Sequence, residues 1–317
     1  MRTKILVTGA TGFVGRALCA HLTQNGCEVH AAVRTSSNGV QASHIVTVGE
    51  IGPNTDWAQS VAGCDVVVHL AARVHVMKEI VADPAALFDA VNTVATANLV
   101  RAAARAGVKR FVFISTVKVN GESTAPGHTF KETDIPAPQD AYAFSKYKAE
   151  RGLKEYATQH GMEWVIIRPP LVYGPGVKAN FAALANAAAW GWPLPLGSIR
   201  NQRSLVALDN LVDFIACCTQ HPQAANQTFL ISDGHDLSTP ELVRQLARAA
   251  GSTARLPRIS VALLKMAAAL LGKKGAVERM SESLQVDISK AQALLQWVPP
   301  VTVEQGLARV IKGRQPS

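Results

Sequence analysis

The 317-residue sequence lacks long hydrophobic runs, and its longest apolar stretch, ISVALLKMAAALLG at 259–272, is interrupted by Lys265. This stretch is too short to span a bilayer, so no integral membrane segment is expected. Its pattern favours a helix packed in the core over a helix lying on a membrane surface. The amino terminus, MRTKILVTGATG, has Gly and Thr within its apolar run and does not resemble a signal peptide. These features predict a cytoplasmic protein.

Cysteine is scarce and irregularly placed. The five residues are Cys19, Cys27, Cys64, Cys217 and Cys218, an odd number without CxxC or metal-ligand spacing. This arrangement excludes a disulfide framework and a thiolate metal centre, and it predicts small buried thiols in a reducing compartment. We therefore expect no metal.

Blocks of basic residues are also missing. Lys and Arg total 32 against 23 Asp and Glu, a formal balance of +9, yet no more than two basic residues are adjacent. No basic run is interleaved with aromatic residues, so a nucleic-acid partner is not indicated. Phosphorylated small molecules account for the positive charge equally well.

Continuous apolar segments alternate with helical patterns in the first half of the chain. This alternation predicts a parallel sheet covered on both faces, which is a doubly wound Rossmann-type α/β fold. The expected strands are 4–9, 28–33, 44–48, 65–72, 110–115 and 163–169, and the expected helices are 13–25, 84–106 and one beginning near residue 140. We assign residues 1–168 to a dinucleotide-binding domain.

The alternation stops after residue 168. Pro and Gly punctuate 169–197, which predicts loop-rich structure over an opening. We interpret 169–317 as a smaller substrate-binding lobe, with a short strand at 228–232 returning to the sheet. The expected helices are 181–190, 209–219, 239–250, 259–271, 289–296 and 303–312.

A glycine-rich segment, TGATGFVG, directly follows the first strand. Gly9, Gly12 and Gly15 are spaced three apart, which allows a tight turn and close approach of the backbone to a pyrophosphate. The helix that follows offers free N–H groups to phosphates. Because the glycines lie between a strand and a helix, they indicate a dinucleotide site.

The end of the second strand bears on the choice of dinucleotide. NAD-binding proteins place an acid there for the ribose 2′-hydroxyl, whereas an arginine suits a 2′-phosphate. Here the strand ends Ala32-Val33-Arg34. We therefore expect NADP(H) to be preferred, with NAD(H) possible.

A tyrosine and a lysine occur one helical turn apart in DAYAFSKYKAE at 140–150. The ammonium of Lys146 and an oxidised nicotinamide would favour ionisation of Tyr142, making it a general acid/base for carbinol–ketone exchange. A hydroxyl from Thr116 or Ser115, at the end of the fifth strand, could hold the substrate oxygen.

TGATGFVG, HLAA, the Ser-Thr pair, YAFSK and RPPLVYGPG together resemble the extended short-chain dehydrogenase/reductase family, the NAD-dependent epimerases and dehydratases. The resemblance is to nucleotide-sugar epimerases and 4-keto reductases, and it covers nearly the whole chain. It implies that Tyr142 and Lys146 are catalytic and that Thr116, five residues before Gly121, is the catalytic hydroxyl. It also implies a UDP-linked sugar substrate and a homodimer built from the two long helices beside the sheet.

The resemblance adds a cofactor site and a substrate site. The expected cofactor residues are Gly9, Thr11, Gly12, Phe13, Val14, Gly15, Arg34, Glu50, Ile51, Leu70, Ala71, Ala72, Ser115, Tyr142, Lys146, Pro169 and Val172. The expected substrate residues are Thr116, Lys118, Asn120, Asn180, Arg203 and Arg279. Two departures concern the sugar: Asn120 stands where many relatives have Tyr, and Leu171 stands where many have Asn.

These observations support three hypotheses. The first is an NADPH-dependent 4-keto reductase of a UDP-linked deoxyamino sugar, serving surface-polysaccharide precursor synthesis, and it is motivated by Arg34. The alternative is a UDP-hexose 4-epimerase, for UDP-glucose or UDP-N-acetylglucosamine, with tightly bound NAD+ and the same catalytic residues. The third is a dinucleotide-binding sensor without catalysis, against which the intact Thr116, Tyr142 and Lys146 argue.

Overall fold

A computed structural model describes residues 2–35, 39–74, 83–270 and 274–314. The strands are β1 Lys4–Thr8, β2 Glu28–Val33, β3 His44–Thr47, β4 Val66–His69, β5 Arg110–Ile114, β6 Glu163–Arg168, β7 Leu171–Tyr173, β8 Leu205–Ala207 and β9 Gln227–Leu230. Seven of them form one parallel sheet in the order β3-β2-β1-β4-β5-β6-β9. The predicted doubly wound α/β fold is confirmed. The strand order reverses between β1 and β4, where ligands bind in such sheets.

The helices flank this sheet and build the carboxyl-terminal lobe. They are α1 Phe13–Gln24, α2 Ala58–Val61, α3 Pro84–Phe88, α4 Ala95–Arg105, α5 Ala141–Gln159, α6 Ala179–Ala189, α7 Leu208–Gln220, α8 Thr239–Ala249, α9 Val261–Leu270, α10 Lys274–Ser281, α11 Ser289–Leu295 and α12 Val303–Lys312. A π-helical segment, Asp89–Val94, joins α3 to α4. The long helix predicted over 84–106 is therefore present, with wider turns in its middle.

The sheet is buried on both faces except at the edge strand β3, which is largely exposed, and burial explains why the central strands are mostly apolar. Ile5 and Val7 of β1 belong to the hydrophobic cluster shared with α1 and α7. Leu6, between them, belongs to the opposite cluster, shared with α4 and α5. Successive side chains point to opposite faces of a strand, so one apolar segment supplies both layers.

The carboxyl-terminal lobe has its own hydrophobic cluster, in which Tyr173, Phe181 and Leu246 are buried. β7 and β8 pair in parallel beside this cluster. The sequence analysis predicted neither strand; the three-residue β7 lies within 169–197, the segment predicted to be rich in loops. β9, from the same half of the chain, pairs with β6 at the edge of the main sheet.

Within the apolar stretch at 259–272, residues Val261–Leu270 form α9, but the prediction that this helix is packed in the core is wrong. Of its residues only Ala268 is buried. Leu263, Met266 and Leu270 are exposed. Within the described ranges, no helix combines the length and apolarity that crossing a membrane requires.

Candidate active site

The glycine segment forms a tight turn between β1 and α1. Gly9 has a left-handed backbone (φ +67°), and a Cβ there would lie 2.8 Å from the amide nitrogen of Ala71. A Cβ on Gly15 would clash with the carbonyl oxygen of Gly9. Gly12 precedes the helix without a side-chain cap, so the N–H groups of the first turn are open to an anion. Phe13 and Val14 begin α1 and pack partly against the core.

Replacing Gly15 with alanine should weaken dinucleotide binding by about tenfold or more, because the turn must open to relieve a clash with rigid backbone. Gly152→Ala is the matched control, since a Cβ there meets no atom within 4 Å. Titration calorimetry with NAD+ and NADP+ measures the effect. Equal affinities for the two variants would contradict this account of the turn.

The edge expected to hold the adenosine contains an exposed ion pair. Nη1 of Arg34, just after β2, lies 3.4 Å from Oε1 of Glu50, just after β3. Both side chains are largely exposed, so the pair is weak and either group can turn to a ligand. Ile51 packs partly against the core. Arg16 of α1, which the sequence did not single out, donates to the carbonyls of Thr11 (3.0 Å) and Gly39 (3.1 Å).

A buried histidine fixes the segment after β4. One ring nitrogen of His69 lies 2.7 Å from Oγ1 of Thr8, and the other lies 3.0 Å from Oγ1 of Thr96. The backbone amide of Ala71 donates to the Thr8 hydroxyl (3.3 Å). Burial, together with the nearby charge of Lys146, lowers the pKa of His69 to about 3. His69 is therefore a neutral bridge that holds 70–72 against β1.

Tyr142 and Lys146 lie on the first two turns of α5, which Asp140 caps by accepting from the amide of Ala143 (2.7 Å). Burial, with the charge of Asp140 adding to it, raises the pKa of Tyr142 to about 12. Burial lowers the pKa of Lys146 to about 7, and Glu150 partly offsets this. Without a dinucleotide, Tyr142 is therefore neutral near pH 7, whereas Lys146 titrates near that pH.

The predicted hydroxyls follow β5 directly. Thr116 Oγ1 accepts from the amide of Lys118 (3.3 Å) at the start of a short 3-10 turn, Val117–Val119. Oγ of Ser115 is buried and has no hydrogen-bond partner among the described residues. The amide of Val117 donates to the carbonyl of Pro169 (3.0 Å), which joins the end of β5 to the segment after β6. Val172, in β7, packs partly against the core.

Asn92 is a site residue that the sequence prediction missed. It lies in the π-helical segment, where its Nδ2 donates to Oγ of Ser145 (2.9 Å) and to the carbonyl of Arg73 (3.0 Å). Its Oδ1 accepts from the amide of Arg73 (2.8 Å), and Oγ of Ser145 donates to the carbonyl of Tyr142 (2.7 Å). This network holds the start of α5 against the segment after β4. The sequence signal was a polar residue within an otherwise apolar helix face.

Lys118 connects the turn after β5 to the start of α5. Its Nζ donates to Asp140 (2.7 Å) and to Glu122 (2.8 Å). Burial alone would lower the pKa of Lys118, but hydrogen bonds to the two carboxylates outweigh it and raise this pKa. The ammonium therefore screens the Asp140 charge that acts on Tyr142. The sequence predicted that Lys118 contacts the sugar substrate. In the structure its ammonium is paired with the carboxylates of Asp140 and Glu122.

Replacing Lys118 with methionine should move the acidic limb of the kcat/KM profile for carbinol oxidation to higher pH, by roughly half a unit. Without the ammonium, Asp140 raises the pKa of Tyr142 further. The reactive, ionised tyrosine is lost as pH falls through that pKa, so the limb shifts upward. Asp140→Asn, which keeps a capping side chain, should shift it downward.

Lys148→Met is the control for this pH effect. Lys148 also lies on α5 and pairs with a carboxylate, Asp89, at 3.0 Å. The pH profile of kcat/KM for Lys148→Met should match that of the unmodified protein. Identical profiles for Lys118→Met and Lys148→Met would show that screening of Asp140 does not govern Tyr142.

Asn120 occupies a different environment from the one predicted. Its side chain is buried; Oδ1 accepts from Nη1 of Arg168 (2.9 Å), and Nδ2 donates to the carbonyl of Lys131 (2.9 Å). Arg168 in turn forms a buried, two-pronged ion pair with Glu150 of α5. Asn120 thus supports the framework below the turn after β5, whereas its predicted role as a sugar contact has no geometric support here.

The residues predicted to hold the nucleotide diphosphate lie in the carboxyl-terminal lobe. Nη1 of Arg203 donates to the carbonyls of Arg279 (2.8 Å) and Glu282 (3.0 Å). Burial lowers the pKa of Arg203, and the nearby Arg279 charge adds to this effect. Arg203 therefore contacts the backbone of Arg279, and the charge of the Arg279 side chain is near enough to act on it. Asn180, near the start of α6, is exposed and lies apart from these contacts in sequence.

One cluster of possible metal ligands lies at the other edge of the sheet. Glu28, His30 and His44 bring their ligand atoms within 4.8 Å of one another. The ammonium of Lys4 lies 3.5 Å from the same Glu28 oxygen that His30 contacts at 3.0 Å. This carboxylate is therefore already neutralised, and we interpret the cluster as an ion-pair network.

Comparisons with known proteins agree with this geometry. The model of the NAD dependent epimerase/dehydratase family matches residues 5–232. A UDP-glucose 4-epimerase of Vibrio cholerae is 48% identical over 309 residues, covering 96% of this chain and 94% of that protein. The N-acetyl-alpha-D-glucosaminyl-diphospho-ditrans,octacis-undecaprenol 4-epimerase of Escherichia coli O157:H7 is 27% identical, covering 98% and 95%.

A similar fold occurs in the crystal structure of the UDP-glucuronic acid 4-epimerase of Bacillus cereus in complex with NAD. The TM-score is 0.78 at 23% sequence identity, and the match covers 98% of each chain. This likeness concerns the whole fold, including the carboxyl-terminal lobe.

Proposed function

Because the chain belongs to the NAD-dependent epimerase/dehydratase family, we propose that it is a UDP-hexose 4-epimerase that holds NAD+ tightly. The observation that carries this proposal is the whole-length 48% identity to the Vibrio cholerae UDP-glucose 4-epimerase. The complete set of Thr116, Tyr142 and Lys146 at one edge of the sheet supplies the chemistry. The sequence alone had favoured the 4-keto reductase, which thus becomes the second candidate.

The residues fit a dinucleotide. The glycine turn leaves no room for a Cβ at Gly9 or Gly15. The first turn of α1 has open N–H groups at its amino-terminal end, which suit a pyrophosphate. The buried Oγ of Ser115 lacks a partner among the described residues, and a bound ligand would supply one. Lys146 is buried with its ammonium 4.0 Å from the ring centroid of Phe113, a position that suits a ribose hydroxyl nearby.

The catalytic residues either transfer the proton of the sugar C4 hydroxyl or position the groups that do so. Thr116 orients the C4 hydroxyl, and the phenolate oxygen of Tyr142 removes its proton as the C4 hydrogen departs. Lys146 stabilises that phenolate, which ionises below its cofactor-free pKa because positive charge now surrounds it. A bound NAD+ would supply the acceptor for the C4 hydride and, in reduced form, its donor to the opposite face of the 4-keto sugar after that sugar has rotated. Tyr142 then gives its proton back to the oxygen of the epimer.

The 4-keto reductase remains the second candidate because of Arg34. No acidic residue ends β2, and Arg34 stands where an arginine suits a 2′-phosphate. In that reaction Tyr142 would only protonate the oxygen, with the same Thr116 and Lys146 beside it. The pairing of Arg34 with Glu50 is weak enough to yield to a phosphate.

Two measurements on the purified protein separate the candidates. Denaturation should release NAD+ in a molar amount close to that of the protein. UDP-glucose or UDP-N-acetylglucosamine should be converted to its C4 epimer without added cofactor, as read by product NMR. A protein that carries no dinucleotide and consumes NADPH only with a UDP-4-keto sugar would be a reductase. In that case Arg34→Ala should raise the KM for NADPH while leaving that for NADH unchanged.

A further inference from the structure

The outer face of α9 is apolar. Leu263, Met266 and Leu270, spaced three and four residues apart, are 54%, 60% and 84% exposed. Every other exposed residue of this helix is alanine, and Lys265, its one charged residue, is only partly exposed. Soluble monomers seldom leave a contiguous face of this kind in water, so it indicates a surface that another body covers.

Two exposed tryptophans lie beside the segment that leads into α9. Trp190 and Trp192 are 54% and 57% exposed, with ring centroids 5.2 Å apart. Just beyond them, the amide of Leu194 donates to the carbonyl of Arg255 (2.9 Å). Exposed tryptophan is characteristic of the boundary between water and hydrocarbon, because the indole is apolar yet carries an N–H.

Two segments of the lobe that carries this face are rich in positive charge. Residues 176–208 and 242–277 contain no Asp or Glu, although the chain has 23 acids. The same two segments contain ten basic residues: Lys178, Arg200, Arg203, Arg244, Arg248, Arg255, Arg258, Lys265, Lys273 and Lys274. Arg255 and Arg258, which lie between the tryptophans and α9, are exposed. The carboxyl-terminal lobe therefore contains two segments in which the positive charge is not offset by any acid.

We propose that this α9 surface, comprising α9, Trp190, Trp192, Arg255 and Arg258, docks on a bilayer of anionic phospholipids. The apolar side chains would enter the headgroup and acyl boundary, and the arginines would contact the phosphates. A second copy of the chain is a poorer occupant, because a two-fold contact would set these cations against their own equivalents. The proposal does not depend on whether the C4 chemistry is epimerisation or reduction.

The test is co-sedimentation of the full chain with vesicles. Binding to an equimolar mixture of phosphatidylglycerol and phosphatidylethanolamine should be about tenfold or more stronger than binding to phosphatidylcholine, and salt should weaken it. Met266→Glu should reduce binding to the anionic vesicles about tenfold. Val298→Glu, at a residue that is 69% exposed elsewhere, is the matched control and should bind normally.

A second variant guards against misfolding. Should Met266→Glu lower the melting temperature, Arg255→Gln combined with Arg258→Gln carries the test and should also weaken binding about tenfold. Both variants should keep normal turnover of a UDP-sugar in solution. The proposal is overturned by failure of the unmodified chain to bind anionic vesicles, or by unchanged binding of both variants. It is also overturned if the unmodified chain is a dimer that does not bind vesicles and Met266→Glu only dissociates this dimer into monomers.

Discussion

Replacing Tyr142 with phenylalanine should lower kcat by about 10²–10⁴-fold, the range that positioned general acid/base groups contribute. The change removes only the hydroxyl that transfers the C4 proton. The partly buried ring stays against its surroundings, including the edge contact with Phe88 at 6.1 Å between centroids. Dinucleotide affinity, measured by calorimetry, should change by less than about threefold, because the glycine turn and Lys146 are untouched.

The control for this substitution is Tyr156→Phe. Tyr156 lies on the same helix, where its ring stacks on His160 at 3.9 Å between centroids, well along α5 from the catalytic turn. Loss of its hydroxyl should leave kcat unchanged. If Tyr142→Phe retained full turnover, or if Tyr156→Phe lost as much, the assignment of the proton-transfer residue would be wrong.

Replacing Arg168 with methionine should lower the free energy of unfolding by about 3–5 kcal/mol, because it leaves a buried carboxylate without a partner. The side chains of Arg168 and Glu150 are only 3% and 1% exposed, and their closest atoms lie 2.6 Å apart. The substitution also removes the donor to Oδ1 of Asn120. Denaturant unfolding monitored by circular dichroism measures the loss.

An exposed ion pair provides the comparison for this stability effect. Arg309 and Asp209 lie 2.9 Å apart with side chains 47% and 43% exposed, so Arg309→Met should cost less than about 1 kcal/mol. Adding Glu150→Met to Arg168→Met should recover part of the loss, since no lone charge then remains. Equal destabilisation by Arg168→Met and Arg309→Met would contradict the structural role of the buried pair.

The main sheet was predictable from the sequence because its strands are covered on both faces. β4 and β5 contain the apolar runs Val66–Val68 and Phe111–Ile114, and burial on both sides demands such runs. β7 and β8 were missed because each has three residues and β7 lies among prolines and glycines. α9 was assigned to the core because apolar composition does not tell whether a helix faces protein or solvent.

The site divides in the same way. The glycine turn and the spacing of Tyr142 and Lys146 are local patterns, so the sequence placed them on their elements. The hydrogen bonds of Asn92 and His69 connect segments far apart in the chain, and no local pattern encodes such partners. Asn120 illustrates the converse, because its position in the family motif before Gly121 suggested a substrate contact, while its amide is held by Arg168.

The central claim is that hydrogen leaves and returns at C4 of the sugar as hydride, while Tyr142 moves only the hydroxyl proton. UDP-hexose carrying deuterium at C4 tests it directly when the enzyme runs to equilibrium in ordinary water and the product is read by NMR. The account predicts that the C4 epimer keeps its deuterium. Loss of the label to solvent would contradict it, because that outcome requires C4 hydrogen to leave as an exchangeable proton.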